Sequence, residues 1–242
     1  MFKGDEEKVL GTLWNFETDK FYFTVAADLV TPNHVQKMTK RMILSQVARI
    51  YNPTGFAAAF IVRTKIGMQR LWQLGLDWDD KIPLAVQETW ISLFQEIKEL
   101  DNVFFERCLT IVHAVELPML CVFADAPQDA LGACAYARQR KNDNTYTVKF
   151  IAAKSRVSPL KQLTIPSLEL QAAVLASRLA KSIQEESRIQ FKDVKFFTDS
   201  TITFTWIKSP SCSFKPFVSL RVGEIKVTQI QTSGSISPVK IT

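Results

Sequence analysis

Three carboxylates stand where this chain could build a site for divalent cations. Asp125 closes the apolar run MLCVFAD, Asp199 closes VKFFTDS, and Glu169 opens the helical stretch PSLELQAAV. Each acid alone reads as a strand-end turn or as a favourable charge at a helix start. Adjacent parallel strand ends and a helix N-terminus can bring all three together, and such a cluster is costly unless cations neutralise it. Its natural use is to hold Mg²⁺ or Mn²⁺. Two such ions about 3.5–4 Å apart activate a water and stabilise the leaving oxygen of a phosphodiester.

Other chemistries find less material. Cys108, Cys121, Cys134 and Cys212 form no C-x-x-C pair, which argues against a zinc ribbon or redox site. Reduced thiols fit an intracellular chain, and MFKGDEEKVL lacks the apolar core of a secretory signal. His34 and His113 are the only histidines, too few for a His-rich metal site and little for a Ser-His-Asp triad. Asp77, Asp79 and Asp80 lack the further ligands of a calcium loop and read as a helix-capping turn. An aspartic protease needs Asp-Thr-Gly or Asp-Ser-Gly; Asp199-Ser200 is followed by Thr201, and Asp125-Ala126-Pro127 does not match.

The elements that must position the three acids follow from patterning. The 242 residues suggest one large domain or two small ones. Residues 11–30 read as a β-hairpin around Glu17-Thr18-Asp19. Helical spacing then predicts helices over 35–50, 56–74 and 84–100, the second capped by Gly75. From about residue 118 the pattern changes. MLCVFAD, LGACAYAR and TYTVKFIAAKSRV predict an antiparallel meander. A helix over 166–185 follows, then the strand VKFFTDS and helices over 201–209 and 217–230. In the helix over 166–185, Leu168, Leu175, Leu179 and Ile183 make one apolar line. Glu169, Ala172, Ala173, Ala176 and Ala180 make another, small enough to pack close to a sheet. The tail TSGSISPVKIT reads as loop or disorder. The longest apolar run, FAAAFIV, is far short of a membrane span.

Charge divides the chain. Residues 1–120 carry 13 Lys/Arg and 15 Asp/Glu, a net of −2; residues 121–242 carry 17 and 9, a net of +8. A basic half suggests that it meets a polyanion.

The order strand-Asp, strand, strand, helix-Glu, strand-Asp, helix matches a ribonuclease H-like fold. TKRMILSQVARIYNPTGF, LWQLGLDWDD, FADAPQDALGACAYAR, KSRVSPLKQLTIPSLELQAAVLASRL, FFTDSTITFTWI and FVSLRVGEI resemble the Pao/BEL retrotransposon polyprotein family, also called Pao retrotransposon peptidase. The resemblance covers about residues 8–230. It implies an α+β or α/β chain. Residues 1–102 would be a mainly helical part with a β-hairpin, similar to a reverse-transcriptase thumb and connection. Residues 103–230 would be a C-terminally truncated ribonuclease H-like mixed sheet with flanking helices, lacking its last strand and helix. Residues 231–242 would be a polar tail.

The resemblance further implies that Asp125, Glu169 and Asp199 are the catalytic, metal-binding carboxylates. They would hold Mg²⁺ or Mn²⁺, with Asp125 bridging two ions, to hydrolyse RNA in an RNA–DNA hybrid. On that reading Lys154, Arg156, Lys161, Arg178 and Lys208 help hold the hybrid, and the rest of a retrotransposon polyprotein is the other partner. Pro127 replaces the family's serine after the first strand, changing the turn without removing the acid. The family's fourth carboxylate has no counterpart, and polymerase aspartates are absent, which excludes reverse transcription by this chain. The alternative is a catalytically degenerate nucleic-acid-binding or interaction module, or a non-functional retroelement relic.

Overall fold

The computed structural model describes residues 6–9, 12–25, 38–109, 114–232 and 234–238. The chain forms two compact units, Met1–Cys108 and Leu109–Thr242.

The first unit combines a small sheet with three helices. Strands β1 (Glu6–Val9), β2 (Thr12–Asn15), β3 (Lys20–Phe23) and β4 (Phe104–Glu106) pair antiparallel in that order. The β2–β3 turn is the expected hairpin, with Asp19 at φ 52°; residues 26–30 of that expectation lie outside the described residues. Helix α1 (Lys40–Ala48) starts where the Thr39 hydroxyl accepts the Met42 N–H at 3.3 Å. Its expected first residues, 35–37, also lie outside the described residues. Helices α2 (Ala58–Gln73) and α3 (Leu84–Lys98) follow, and α3 runs on into a 3₁₀ turn at Glu99–Asn102. Gly75, at φ +68°, takes the left-handed conformation that ends α2. The spacing of Trp90, Leu93, Phe94 and Ile97 puts them on one side of α3, buried with Ile43 of α1 and Met68 and Leu71 of α2.

The second unit is a five-stranded mixed sheet covered by helices. Strands β5 (Met119–Asp125), β6 (Ala130–Arg140) and β7 (Tyr146–Val157) form the antiparallel meander. Helix α4 (Ile165–Glu186) carries the chain back, so that β8 (Asp193–Thr198) joins β5 in parallel. Helices α5 (Thr201–Lys208) and α6 (Pro216–Thr232) follow, and β9 (Gly234–Pro238) adds in parallel to β8. The strand order is β7-β6-β5-β8-β9.

Helix α4 is buried on two sides. Leu168, Ala172, Leu175, Ala176, Leu179 and Ile183 meet Leu120, Val122, Val194 and Phe196 of the sheet. Leu170, Ala173 and Val174 meet Ile207 of α5 and Val222 and Ile225 of α6. Small residues on the sheet side let helix and strands approach closely.

The tail is corrected by the structure. Residues 234–238 are not loop but the strand β9, so the mixed sheet has the last strand that was expected to be missing. The open edge of β8 supplies unpaired backbone groups, and Ile236 packs into the clusters on both sides of α4. Pro238 closes this edge strand, a position that tolerates a residue with no N–H.

Candidate functional site

The parallel register sets the two aspartates. Met119 pairs with Asp193, and the ladder runs to Phe123 opposite Phe197. The ladder ends there: Asp125 is the last residue of β5 and Asp199 follows the last residue of β8, so both stand at the C-terminal ends of neighbouring parallel strands. Leu120, Val122, Val194 and Phe196 point into the core beneath α4. Alternation puts Phe123 and Phe197 on the other face, where their rings stack at 4.7 Å between centroids. Asp125 shares that parity, and both aspartates are exposed. The Ala126 N–H donates to Asp125 Oδ1 at 2.7 Å and fixes the rotation of that carboxylate. Pro127 lies in the turn beyond, whose carbonyl accepts the Ala130 N–H at 3.3 Å, and the acid keeps its place at the strand end.

Glu169 comes from the first turns of α4, between the stripe facing the sheet and the stripe facing α5 and α6, and is half-buried. The Ser200 hydroxyl donates to Glu169 Oε2. The same hydroxyl accepts the Thr203 N–H at 3.1 Å as the N-cap of α5. Ser200 thus ties Glu169 to the residue beside Asp199, and Oε1 has no hydrogen-bond partner among the described residues. The sequence reading missed this role. Its signal was Asp-Ser-Thr at the start of a helical pattern, a capping signature that says nothing of what else the hydroxyl touches.

Three carboxylates at one end of the sheet are the hard oxygen donors that Mg²⁺ or Mn²⁺ takes. The donor chemistry fits. Among the described residues, however, no three His, Cys, Asp or Glu side chains close into a group able to hold a metal as they stand.

The basic candidates divide. Lys154 and Arg156 are exposed at alternate positions of the edge strand β7, and Lys161 is exposed in the β7–α4 connection. Lys208 is exposed in the last turn of α5, its ammonium 5.6 Å from the Phe204 ring centroid. Arg178 is not free: its Nε and Nη2 donate to Glu224 of α6 at 2.5 and 3.0 Å. That clasp holds the Glu224 carboxyl below the usual carboxylate range. Among the described residues Cys108, Cys121, Cys134 and Cys212 form no disulfide, and burial pushes the Cys121 and Cys134 thiols up. Among the described residues, no helix is long and apolar enough to cross a membrane.

The foamy viral protease-reverse transcriptase dRH in complex with ds DNA is similar over 98% of this chain and 38% of its own, at 15% identity and TM-score 0.50. The foamy viral protease-reverse transcriptase in complex with dsDNA matches over 98% and 45%, at 14% identity and TM-score 0.50. This chain therefore spans less than half of either viral chain, and the likeness is one of fold. RNase H1 from the halophilic archaeon Halobacterium salinarum NRC-1 covers 51% of this chain and 86% of its own, at 13% identity and TM-score 0.32. No curated protein matches at a significant level. The family model described as Pao retrotransposon-like RNaseH-like domain matches residues 39–200, from the N-cap of α1 to the serine that holds Glu169. With more than half of its length matched and a mixed sheet of the expected order, the chain belongs to this Pao retrotransposon-like RNaseH-like family.

Proposed function

We propose that this chain is a piece of a Pao-type retroelement polyprotein whose second unit holds an RNA–DNA hybrid and hydrolyses its RNA strand. The observation that supports this reading is the parallel pairing of β5 and β8, whose C-terminal ends carry Asp125 and Asp199, together with the Ser200 hydroxyl that donates to Glu169. The first unit would be the thumb- and connection-like part of the same intracellular polyprotein.

Asp125, Glu169 and Asp199 would hold the Mg²⁺ or Mn²⁺ ions. When bound, such ions neutralise phosphate charge and activate a water. The chain's own residues orient the donors. The Ala126 N–H fixes one oxygen of Asp125 and leaves the other to turn outward. Ser200 fixes Oε2 of Glu169 and leaves Oε1. Exposed Lys154, Arg156, Lys161 and Lys208 supply cations for the phosphate backbone, a sequence-independent grip that weakens with salt. The 2′-hydroxyl distinguishes the RNA strand.

A second reading, binding without cutting, is favoured by the open arrangement of the three acids. Cleavage of an end-labelled RNA–DNA hybrid in Mg²⁺, Mn²⁺ or EDTA, beside Asp125→Asn, separates the two. Metal-dependent cutting that is lost in the variant supports hydrolysis. Salt-sensitive binding with no cutting in either metal overturns hydrolysis and leaves the binding module.

A further inference from the structure

A second feature of the Leu109–Thr242 unit does not involve the three acids. A surface cleft of about 280 Å³ lies where β6 and β7, α4 and α6 meet, lined among others by Leu131, Arg156, Gln171, Arg178, Arg221 and Glu224. Three arginines and one glutamate share its wall. Glu224 clasps Arg178 with both oxygens and turns its fork into a fixed element of the wall. Arg221 is half-buried, its Nη1 donating to the Phe217 carbonyl at 2.8 Å and its guanidinium 3.6 Å from the Phe217 ring centroid. Arg156 makes no ion pair among the described residues.

The wall also holds an unanswered donor. Gln171 Nε2 is buried with no hydrogen-bond partner. A buried N–H left unmade costs its desolvation, so this position is suited to an acceptor that arrives from outside. Burial and the neighbouring Arg178 both pull the Arg221 guanidinium down, with Glu224 opposing; a second anion in the cleft would relieve that repulsion. Guanidiniums and an amide N–H lining one cleft are the donors that a tetrahedral oxyanion accepts.

We propose that this cleft is a phosphate site, in which Arg156, Arg221 and the Gln171 amide receive a phosphate group beside the Arg178–Glu224 clasp. The choice of a bound nucleic acid as its source rests on the function proposed above. Arg156 stands opposite Leu131, which belongs to the core beneath α4, so it lies on the helix-covered face with the rest of the cleft, whereas Asp125 lies on the other face. Glu224 is the built-in competitor: it occupies the fork of Arg178 that an incoming phosphate would otherwise share.

The test uses the full chain in EDTA, so that it reads binding alone. Anisotropy of a fluorescein-labelled RNA–DNA hybrid is measured across a salt series, and pyrophosphate is titrated while the arginine Nε resonances are followed. Arg156→Gln and Arg221→Gln are each expected to weaken binding about tenfold. Each should also reduce the slope of log affinity against log salt by about one. Glu224→Gln is expected to tighten binding several-fold, a gain that a damaged fold does not produce. Lys181→Gln, on α4 but outside the cleft and paired with Glu185 at 3.8 Å, serves as the unchanged control. Pyrophosphate binding that follows the variants while hybrid affinity does not would keep the phosphate site and assign it to a free phosphate compound. Wild-type affinity for both ligands in Arg156→Gln and Arg221→Gln, or weaker binding in Glu224→Gln, overturns the proposal. Cleavage plays no part in these readouts, so failure of the hydrolytic reading and failure of the phosphate site are distinguishable.

Discussion

In the first unit Arg41, Arg63 and Arg107 each grasp a carboxylate with two nitrogens, on Asp79, Glu96 and Asp19. In the second, Lys154, Arg156 and Lys161 reach solvent with no ion pair among the described residues. Even the buried lysine of the first unit is used internally. Lys40 donates to the Leu76 carbonyl and lies 4.4 Å from the Trp72 ring centroid, with Trp78 at 5.9 Å. Each clasp is an exposed pair of small worth, but each holds a guanidinium that a polyanion would otherwise meet. The second unit has its own pairs, Arg178–Glu224, Lys181–Glu185 and Lys192–Glu116, but on β7 and the β7–α4 connection its cations stay unpaired among the described residues. Near-neutral and basic halves of a sequence thus differ in charge balance and also in where a folded partner holds a cation.

The sharpest way to break this contrast is to exchange chemistry for packing. Asp125→Asn removes one acid from an exposed strand end and is expected to take hybrid cleavage to background while leaving urea stability near wild type. Trp90→Ala has the opposite profile. Trp90 is 2% exposed in the centre of the first unit's core, and its truncation is expected to cost about 3–5 kcal/mol. Urea denaturation measures the loss, and hydrogen exchange should find it in α2 and α3. A Trp90→Ala protein with wild-type stability would contradict the core described here.

Packing, rather than chemistry, was the more readable layer in the sequence. Trp90, Leu93, Phe94 and Ile97 repeat at helical spacing, and LGACAYAR and TYTVKFIAAKSRV alternate, so these elements fall where periodicity puts them. β9 escaped because Gly234-Ser-Ile-Ser-Pro238 holds one large apolar side chain; its extended form comes from the open edge of β8, a partner brought near only by the fold. Strand-end Asp125 and Asp199 were legible as a pair because parallel strands align their ends. The Ser200–Glu169 bond joins residues 31 apart, and the Arg178–Glu224 clasp joins residues 46 apart. No local pattern encodes either. Arg178 therefore read as an available cation.

Two substitutions sharpen the contrast on a smaller scale. Ser200→Ala removes the N-cap of α5 and the donor to Glu169 together. A loss of about 1 kcal/mol in stability is expected from the cap. A further reduction of about 10–100-fold in cleavage follows if Ser200 positions the Glu169 carboxylate. Ser200→Thr keeps a hydroxyl and should restore both; restored stability without restored cleavage would limit Ser200 to capping. In the first unit, a Cβ on Gly67 would lie 2.6 Å from Cζ2 of Trp90, a ring with no room to retreat. Gly67→Ala is expected to cost about 1–3 kcal/mol by thermal denaturation, with no effect that tracks salt.

The smallest effect concerns the clasp that separates the two uses of arginine within the second unit itself. Hydrogen bonding from Arg178, with the nearby positive charge, holds Glu224 below the usual carboxylate range. A carboxyl depressed in the folded state contributes stability that is complete above its unfolded value of about 4.3 and is lost as pH falls through the lower folded value. Both side chains are more than a third exposed, at 52% and 38%, so solvent screens the pair. About 0.5 kcal/mol is the expected size for such a pair. Glu224→Gln should flatten the acid limb of the stability curve by that amount relative to wild type. The same protonation releases the Arg178 fork into the cleft. Sulfate, whose charge is constant above about pH 3, should therefore bind wild-type protein more tightly as pH falls through the Glu224 transition, while Glu224→Gln shows a flat profile. Equal pH dependence in the two proteins would place the release on another group and reduce the clasp to one more internal pair, like those of the first unit.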